Sequence, residues 1–379
     1  MSHSRHDSAV SELDKLGDVS KEEYAEILSK FLSDVDFFMP PQEYDFSLEE
    51  PVMEYFAKQP NWPAHLTAKA VYMAKWMSTG LGMCYPFAEK DIQVAYGIHA
   101  TYVLFIDDII HELGDSLDEF AARLVTGQPQ KSPILQSLVN FLLDNSSYMG
   151  PYASAMNTKA TIEFISGCMM ERDYDGKIVP PVGAKKFPGY FREKTGYTEP
   201  YAHFCFPEKT CPEKEYLHVY LPCVMDLIEF ISYANDILSF YKETVVGDER
   251  LNYICNIANT HGLSASDALK LVCQQVTDNV LTTRKVLKDY PEMLATTDEF
   301  FRGYIAWYLN QKRYKLTDIA VKDKQGNLFD LTPSEPKVLV KEPRKEVLAS
   351  SLGKRKADVY SCESEVSLDE GVVVTEVTV

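Results

Sequence analysis

Between Ala64 and Thr317 the apolar residues of this chain recur three or four positions apart, and runs that alternate with period two are scarce. That spacing lines one face of a 3.6-residue helix, whereas a half-buried strand needs a period of two. The pattern predicts one all-α domain of about ten helices over residues 19–317. Forty-five per cent of the 379 residues are hydrophobic, enough for a packed core. The punctuation supplies boundaries. Ser20 and Glu23 form a capping-box signature that opens a helix to about Asp34. Prolines 40, 41, 51, 60 and 63 make residues 38–63 read as an irregular arm. A helix from Ala64 is punctuated by Gly80 and Gly82, and a long apolar one runs from Glu89 to Leu113 and ends at Gly114. Ser116 and Glu119 repeat the capping box, and Ser132–Pro133 is a cap and first-turn pair. Further helices are expected from Pro151 to about Arg172, around Arg192, from Pro212 to about Val246, from Ser264 to Tyr290, and from Pro291 to about Thr317.

Beyond Asp318 the helical pattern fades, and residues 357–379 hold six acidic side chains and no basic one. Residues 318–379 are expected to be an irregular, largely disordered acidic tail, and residues 1–18 a disordered N-terminus. Lys plus Arg number 38 against 56 for Asp plus Glu, a net charge of −18. Such a chain lacks the basic face that replaces phosphate counterions, so no nucleic-acid partner is expected. The first fifteen residues lack the apolar core of a signal peptide, and no run of about 18 apolar residues occurs. The eight cysteines contain no Cys-x-x-Cys pair. A cytoplasmic protein with reduced thiols and no membrane insertion is the expectation.

Two motifs carry chemistry. In the string Asn235-Asp-Ile-Leu-Ser239-Phe-Tyr-Lys242-Glu243, Asn235, Ser239 and Glu243 are spaced i, i+4, i+8. Successive members drift by only about 40° on a helix, so all three oxygens leave one stripe. An amide oxygen, a hydroxyl and a carboxylate are hard donors suited to Mg²⁺. Taken singly such residues are usually solvated or capping, but this stripe lies in an apolar helix with Leu227, Phe230 and Leu238 nearby. The second motif is Phe105-Ile-Asp107-Asp108-Ile-Ile-His111-Glu112, an acidic pair ending a largely apolar run. Burying both carboxylates ionised would be costly without a cation.

An acidic cluster and an Asn/Ser/Glu stripe on two distant helices are the parts of a magnesium-diphosphate clamp. The combination resembles class I terpene cyclases. Phe164-Ile-Ser-Gly167-Cys168, Gly303-Tyr-Ile-Ala-Trp307 and Arg313-Tyr314 narrow the resemblance to fungal trichodiene synthase and its relatives, over about Ala64 to Thr317. The resemblance implies a helical bundle around a central active-site cavity, three Mg²⁺ ions, and farnesyl diphosphate as substrate, cyclised through a bisabolyl cation to a cyclic sesquiterpene. It implies that Asp107 holds two metal ions and that Asn235, Ser239 and Glu243 hold the third. Arg192 becomes the diphosphate sensor, and Lys242, Arg313 and Tyr314 become diphosphate donors. Asp108 becomes the partner of Arg313 on closure. A homodimer is implied as well. Phe105, Phe164, Tyr304 and Trp307 lie on the relevant helices as cavity aromatics. His111 and Glu112 stand where many relatives continue with aspartate, and nitrogen is a softer ligand than Mg²⁺ prefers, so a metal role for Glu112 is in doubt.

Rival readings lose specific residues. A chain-elongating prenyltransferase needs a second Asp-Asp-x-x-Asp, and a protonation-initiated cyclase needs Asp-x-Asp-Asp; neither occurs. A di-iron bundle needs two Glu-x-x-His pairs, and only Glu215–His218 is found. A catalytically degenerate, diphosphate-binding helical scaffold stays open, as does a cyclase for another prenyl diphosphate.

Overall fold

The computed structural model describes residues 19–40, 46–144, 148–174, 177–329 and 331. The expectations for residues 1–18 and for the acidic stretch 357–379 lie outside them. Among the described residues there is no strand, only an isolated bridge between Lys322 and Leu328. The helices are α1 (Lys21–Asp34), α2 (Glu49–Ala57), α3 (Ala64–Cys84), α4 (Lys90–Asp107), α5 (Ile110–Leu113), α6 (Phe120–Thr126), α7 (Pro133–Asp144) and α8 (Pro151–Tyr174). They continue with α9 (Phe187–Thr195), α10 (Glu199–His203), α11 (Glu213–Tyr220), α12 (Val224–Phe240), α13 (Tyr253–His261), α14 (Ala265–Val286) and α15 (Pro291–Asn310). A π-helical turn, Tyr241–Val245, extends α12.

Several boundaries follow the sequence. Ser20 caps α1 by accepting the Glu23 amide at 3.1 Å, and Ser132 accepts the Ile134 amide at 3.2 Å ahead of α7. Others depart from it for tertiary reasons. The arm at 38–63 contains α2, because Pro51 falls in its first turn, where the missing N–H has no helical partner to lose. Gly80 and Gly82 do not end α3; they lie inside it as contact points. A Cβ on Gly80 would sit 2.7 Å from the Trp307 ring nitrogen, and one on Gly303 only 2.0 Å from the Met83 carbonyl oxygen. These two glycines let α3 and α15 approach closely. The box at Ser116 and Glu119 does not form: the Ser116 hydroxyl bonds the Leu113 carbonyl at 2.6 Å, and Glu119 pairs with Arg123 and Lys131. Helices α10 and α13, which periodicity did not separate, are short and largely buried. Past Asp318 the described chain still packs, for Ile319, Val321 and Leu331 join the main core.

The expected helix 89–113 is broken at Asp108 and Ile109. Ile109 turns inward and is 1% exposed, which leaves the acidic pair at the C-terminus of α4.

Helix α3 packs on α4 and α15, α15 on α12, α12 on α10, α10 on α8, and α8 on the short α5 that follows α4. Two hydrophobic clusters form the core. One is built around α1 and α11–α15, the other around α2–α4 and α6–α8. Trp76, Leu104 and Tyr201 are partly exposed and touch both. The stretch Glu213–Val245 has the length, 33 residues, and the hydropathy, 1.3, of a membrane span. Here its apolar residues, among them Leu227, Phe230, Ala234 and Ile237, are buried against other helices. The seven described cysteines are buried and unbridged, and Cys362 lies outside the described residues.

Candidate active site

Helix α4 delivers Asp107 and Asp108 at its last turn, and α12 with its π-turn delivers Asn235, Ser239 and Glu243 at its last two. Each helix C-terminus carries roughly half a negative charge from aligned peptide dipoles. Carboxylates there oppose the dipole, so both helix ends favour a cation.

On α12 the stripe is wired together. Ser239 Oγ donates to Glu243 at 2.8 Å, and Lys242 Nζ lies 3.3 Å from the other Glu243 oxygen. Asn235 Nδ2 donates to the Tyr308 hydroxyl, while its Oδ1 accepts from Arg192 at 3.0 Å. Arg192, on α9, also holds Asp236 at 2.6 Å and the Ser232 carbonyl at 3.2 Å. Asp236 is 4% exposed and accepts the Tyr253 amide at 3.2 Å. Burial pushes its carboxyl up, and Arg192 opposes that shift. Asp236 was a bystander in the sequence motif. Its role as the anchor of Arg192 could have been read only from the cost of an acid inside an apolar helix.

On α4, Asp107 is exposed at the end of the helix. Partial desolvation, with a smaller push from Asp108, raises its carboxyl to about 6, and the Arg192 and Arg313 charges pull the other way. Those two arginines thus lie within electrostatic reach of Asp107, and Arg192 touches the α12 stripe directly. Asp108 pairs with Lys69 at 3.3 Å, and Lys69 also bonds the Asp108 carbonyl at 3.2 Å. In this conformation its partner is therefore Lys69, not Arg313. Glu112 faces outward and pairs with His65 at 3.2 Å, away from the stripe.

Arg313 and Tyr314 follow α15 on a 3-10 turn, Lys312–Tyr314. Arg313 is exposed, whereas Tyr314 is buried with its ring 4.5 Å from Tyr308. Trp307 stacks on Trp76 at 6.1 Å and 8°, and the Tyr304 hydroxyl bonds the Ile231 carbonyl at 2.8 Å. These rings form an aromatic shelf beside Arg192 and Asn235. Phe105 is fully buried and stacked on Trp62 at 5.4 Å, inside the second hydrophobic cluster. Phe164 is likewise core, 4% exposed against Tyr197. Glu249 was missed altogether. Glu249 is exposed, yet partial desolvation and the nearby Glu243 charge raise its carboxyl to about 7, and its amide bonds the Glu243 carbonyl at 3.0 Å. Its six-residue offset from Glu243 matches no helical repeat, so periodicity carries no signal for it.

Among the described residues no group of three or more His, Cys, Asp or Glu closes around a metal position. The donor set still fits magnesium, which keeps several waters and takes one or two carboxylates plus substrate phosphate oxygens. Asp107 offers one such carboxylate and Glu243 the other, with the Asn235 and Ser239 oxygens alongside.

The family described as Trichodiene synthase (TRI5) matches residues 51–329. The chain is 34% identical over 312 residues to an (E)-beta farnesene synthase of Metarhizium brunneum, covering 81% of this chain and 92% of that one. It is 28% identical over 328 residues to the terpene synthase BipA of Cochliobolus sativus, covering 83% and 94%. Among solved structures, a linalool/nerolidol synthase from Streptomyces clavuligerus superposes with a TM-score of 0.55 at 13% identity, covering 72% of this chain and 99% of that one. At that identity the likeness speaks for the fold, which is all-α in both.

Proposed function

This chain belongs to the trichodiene synthase family of terpene synthases, and from that premise we propose that it is a magnesium-dependent sesquiterpene cyclase acting on farnesyl diphosphate. The observation that carries the reading is that Arg192 bonds Asn235 on one helix end and lies within electrostatic reach of Asp107 on the other, with Arg313 also in reach of Asp107. Asp107 would hold two magnesium ions, and the three α12 donors the third. Bound magnesium supplies charge neutralisation that makes diphosphate a competent leaving group.

The chain's own residues do the rest. Arg192, Lys242, Arg313 and Tyr314 donate hydrogen bonds to diphosphate oxygens. The allylic carbon–oxygen bond breaks with its electron pair going to diphosphate, and those donors stabilise the charge that develops there. To serve, Arg192 must release Asn235 Oδ1 and turn its donors to the anion, which couples substrate arrival to liberation of a metal ligand. The carbocation left behind meets a dry interior. Aromatic faces such as Tyr304 and Trp307 stabilise moving positive charge by cation–π attraction, worth about 2 kcal/mol when desolvated. Water is excluded by the two apolar clusters on either side.

Incubation with geranyl, farnesyl and geranylgeranyl diphosphates, with Mg²⁺ and with EDTA, tests the reading by gas chromatography–mass spectrometry. A cyclic C15 product from farnesyl diphosphate, abolished by EDTA, is expected. A second reading has its own support: the relative that is 34% identical is named for farnesene, an acyclic alkene. A linear C15 alkene in the same experiment would keep the ionisation chemistry and replace ring closure by direct proton loss. No turnover, with Mg²⁺-dependent diphosphate binding intact, would favour the degenerate scaffold.

A further inference from the structure

Helix α1 precedes residues 51–329, the span shared with the family, yet it is built into the back of the α12 stripe. Tyr24 is fully buried, and its hydroxyl donates to the Ile237 carbonyl at 2.9 Å, between Asn235 and Ser239 in the chain. Its ring stacks on Phe240 at 6.2 Å and 24° and on Tyr241 at 5.7 Å and 23°. Those two residues straddle the point where α12 passes from α to π geometry. The extra residue in a π-turn re-aims the side chains after it, and such turns recur at functional sites. Here the residue re-aimed is Glu243, whose charge reaches the Tyr24 hydroxyl.

The rest of α1 is anchored on elements other than α12. Glu23 accepts from Ser266 and pairs with Lys270 at 3.7 Å, both on α14. Ser29 Oγ accepts the Lys322 amide at 2.9 Å, in the segment that follows Arg313 and Tyr314. Arg284 of α14 bonds the Val35 carbonyl at 3.3 Å. An element held on several sides, with one hydroxyl placed on the metal-motif backbone, is a brace.

We propose that Tyr24 is a positioning residue for the Asn235–Ser239–Glu243 half-site: through the Ile237 carbonyl and the Phe240–Tyr241 stack, α1 holds the π-turn in the shape that aims Glu243 at its cation. The proposal rests on the reading that Glu243 is a metal ligand. It places a determinant of metal affinity outside the family-matched span.

The test is calorimetric binding of inorganic diphosphate to the full chain across a Mg²⁺ series, beside thermal midpoints, for Tyr24→Phe, Leu32→Ala and Glu243→Gln. Tyr24→Phe keeps the ring and loses one hydroxyl. Its half-saturating Mg²⁺ concentration is expected to rise about tenfold, the low end for residues that orient a metal ligand. Leu32, eight residues and roughly 12 Å further along α1, is buried in the same core. Leu32→Ala is expected to lower the thermal midpoint without moving the Mg²⁺ dependence. Glu243→Gln should move it further than Tyr24→Phe does. A wild-type Mg²⁺ dependence in Tyr24→Phe, with Glu243→Gln shifted, would overturn the brace and leave the metal reading standing. An equal shift in Leu32→Ala would reduce the effect to lost stability and overturn it as well. An unmoved Glu243→Gln would remove the metal reading, and the brace with it.

Discussion

At the end of α4, Asp107 and Asp108 stand partly in solvent, with Asp108 39% exposed and joined to Lys69 on the neighbouring α3. At the end of α12, Asn235, Asp236, Ser239 and Glu243 are tied to Arg192, to Tyr308, to the Tyr253 amide and, for Ser239 and Glu243, to each other, and Asp236 is 4% exposed. Both ends carry acid where the helix dipole wants a cation. They meet that mismatch differently. The α12 half is neutralised internally by Arg192 and Lys242, so it is preorganised and costly to disturb. The α4 half joins Asp108 to one partly exposed lysine, Lys69, and is poised to take up charge from outside. One end stores order; the other stores affinity.

The largest effect should come from breaking the internal half. Asp236→Asn leaves Arg192 buried without its counter-charge, and removal of one partner of a buried pair costs about 3–5 kcal/mol. Chemical denaturation should show that loss, and an unchanged midpoint would mean that Arg192 is not held by this pair. Next comes Asn235→Ala, which should lower turnover on the order of 10²–10³-fold, as for a lost transition-state contact. Circular dichroism of that variant should match the parent, and full retention of turnover would remove Asn235 from the site.

A pH series separates the halves further. His99 and His203 are held neutral by burial, with pKa values lowered to about 3 and about 4. Their folded values lie below the unfolded value of ~6.5, so their contribution is complete above that pH and is lost as pH falls. Each buried imidazole should cost up to roughly 1.4 kcal/mol per pH unit below 6.5. Asp107 acts with the opposite sign. Its folded value of about 6 lies above the unfolded one, so its contribution is present at low pH and lost as pH rises through 6. Asp107→Asn should abolish turnover with Mg²⁺ present, yet in the metal-free protein stabilise the fold slightly above pH 6, by about 0.3–1 kcal/mol, the worth of one helix-terminal charge. A destabilised Asp107→Asn would show the α4 half to be as internally compensated as the α12 half. Smallest of all, Lys69→Ala should change stability by less than about 1 kcal/mol, as exposed ion pairs do.

The all-α class and most helix cores were legible because 3.6-residue periodicity is a local property, and a helix satisfies its own backbone hydrogen bonds wherever it packs. The α12 stripe was legible for the same reason: i, i+4, i+8 places three donors on one face before any tertiary contact forms. Boundaries were less legible. Gly80, Gly82 and the 116–119 box look like stops and starts, but a glycine inside a helix can serve a neighbouring helix, and Ser116 spends its hydroxyl on Leu113. The break after Asp107 was hidden because burial of Ile109 in a second cluster, and not the local sequence, ends α4.

What the chain determined by itself is therefore its class of fold and the chemical character of each half of the site: hard oxygen donors on one stripe, an acidic pair at the end of an apolar run, basic residues set apart from both. Tertiary structure alone decided which partners those groups have. It set Arg192 between Asp236 and Asn235, gave Asp108 to Lys69, withdrew Phe105 and Phe164 into the core, and brought Glu249 and Tyr24 to the motif. The reason is physical: periodicity acts over one or two turns, whereas charge pairing and burial depend on what packing brings within a few ångströms, from anywhere in the chain.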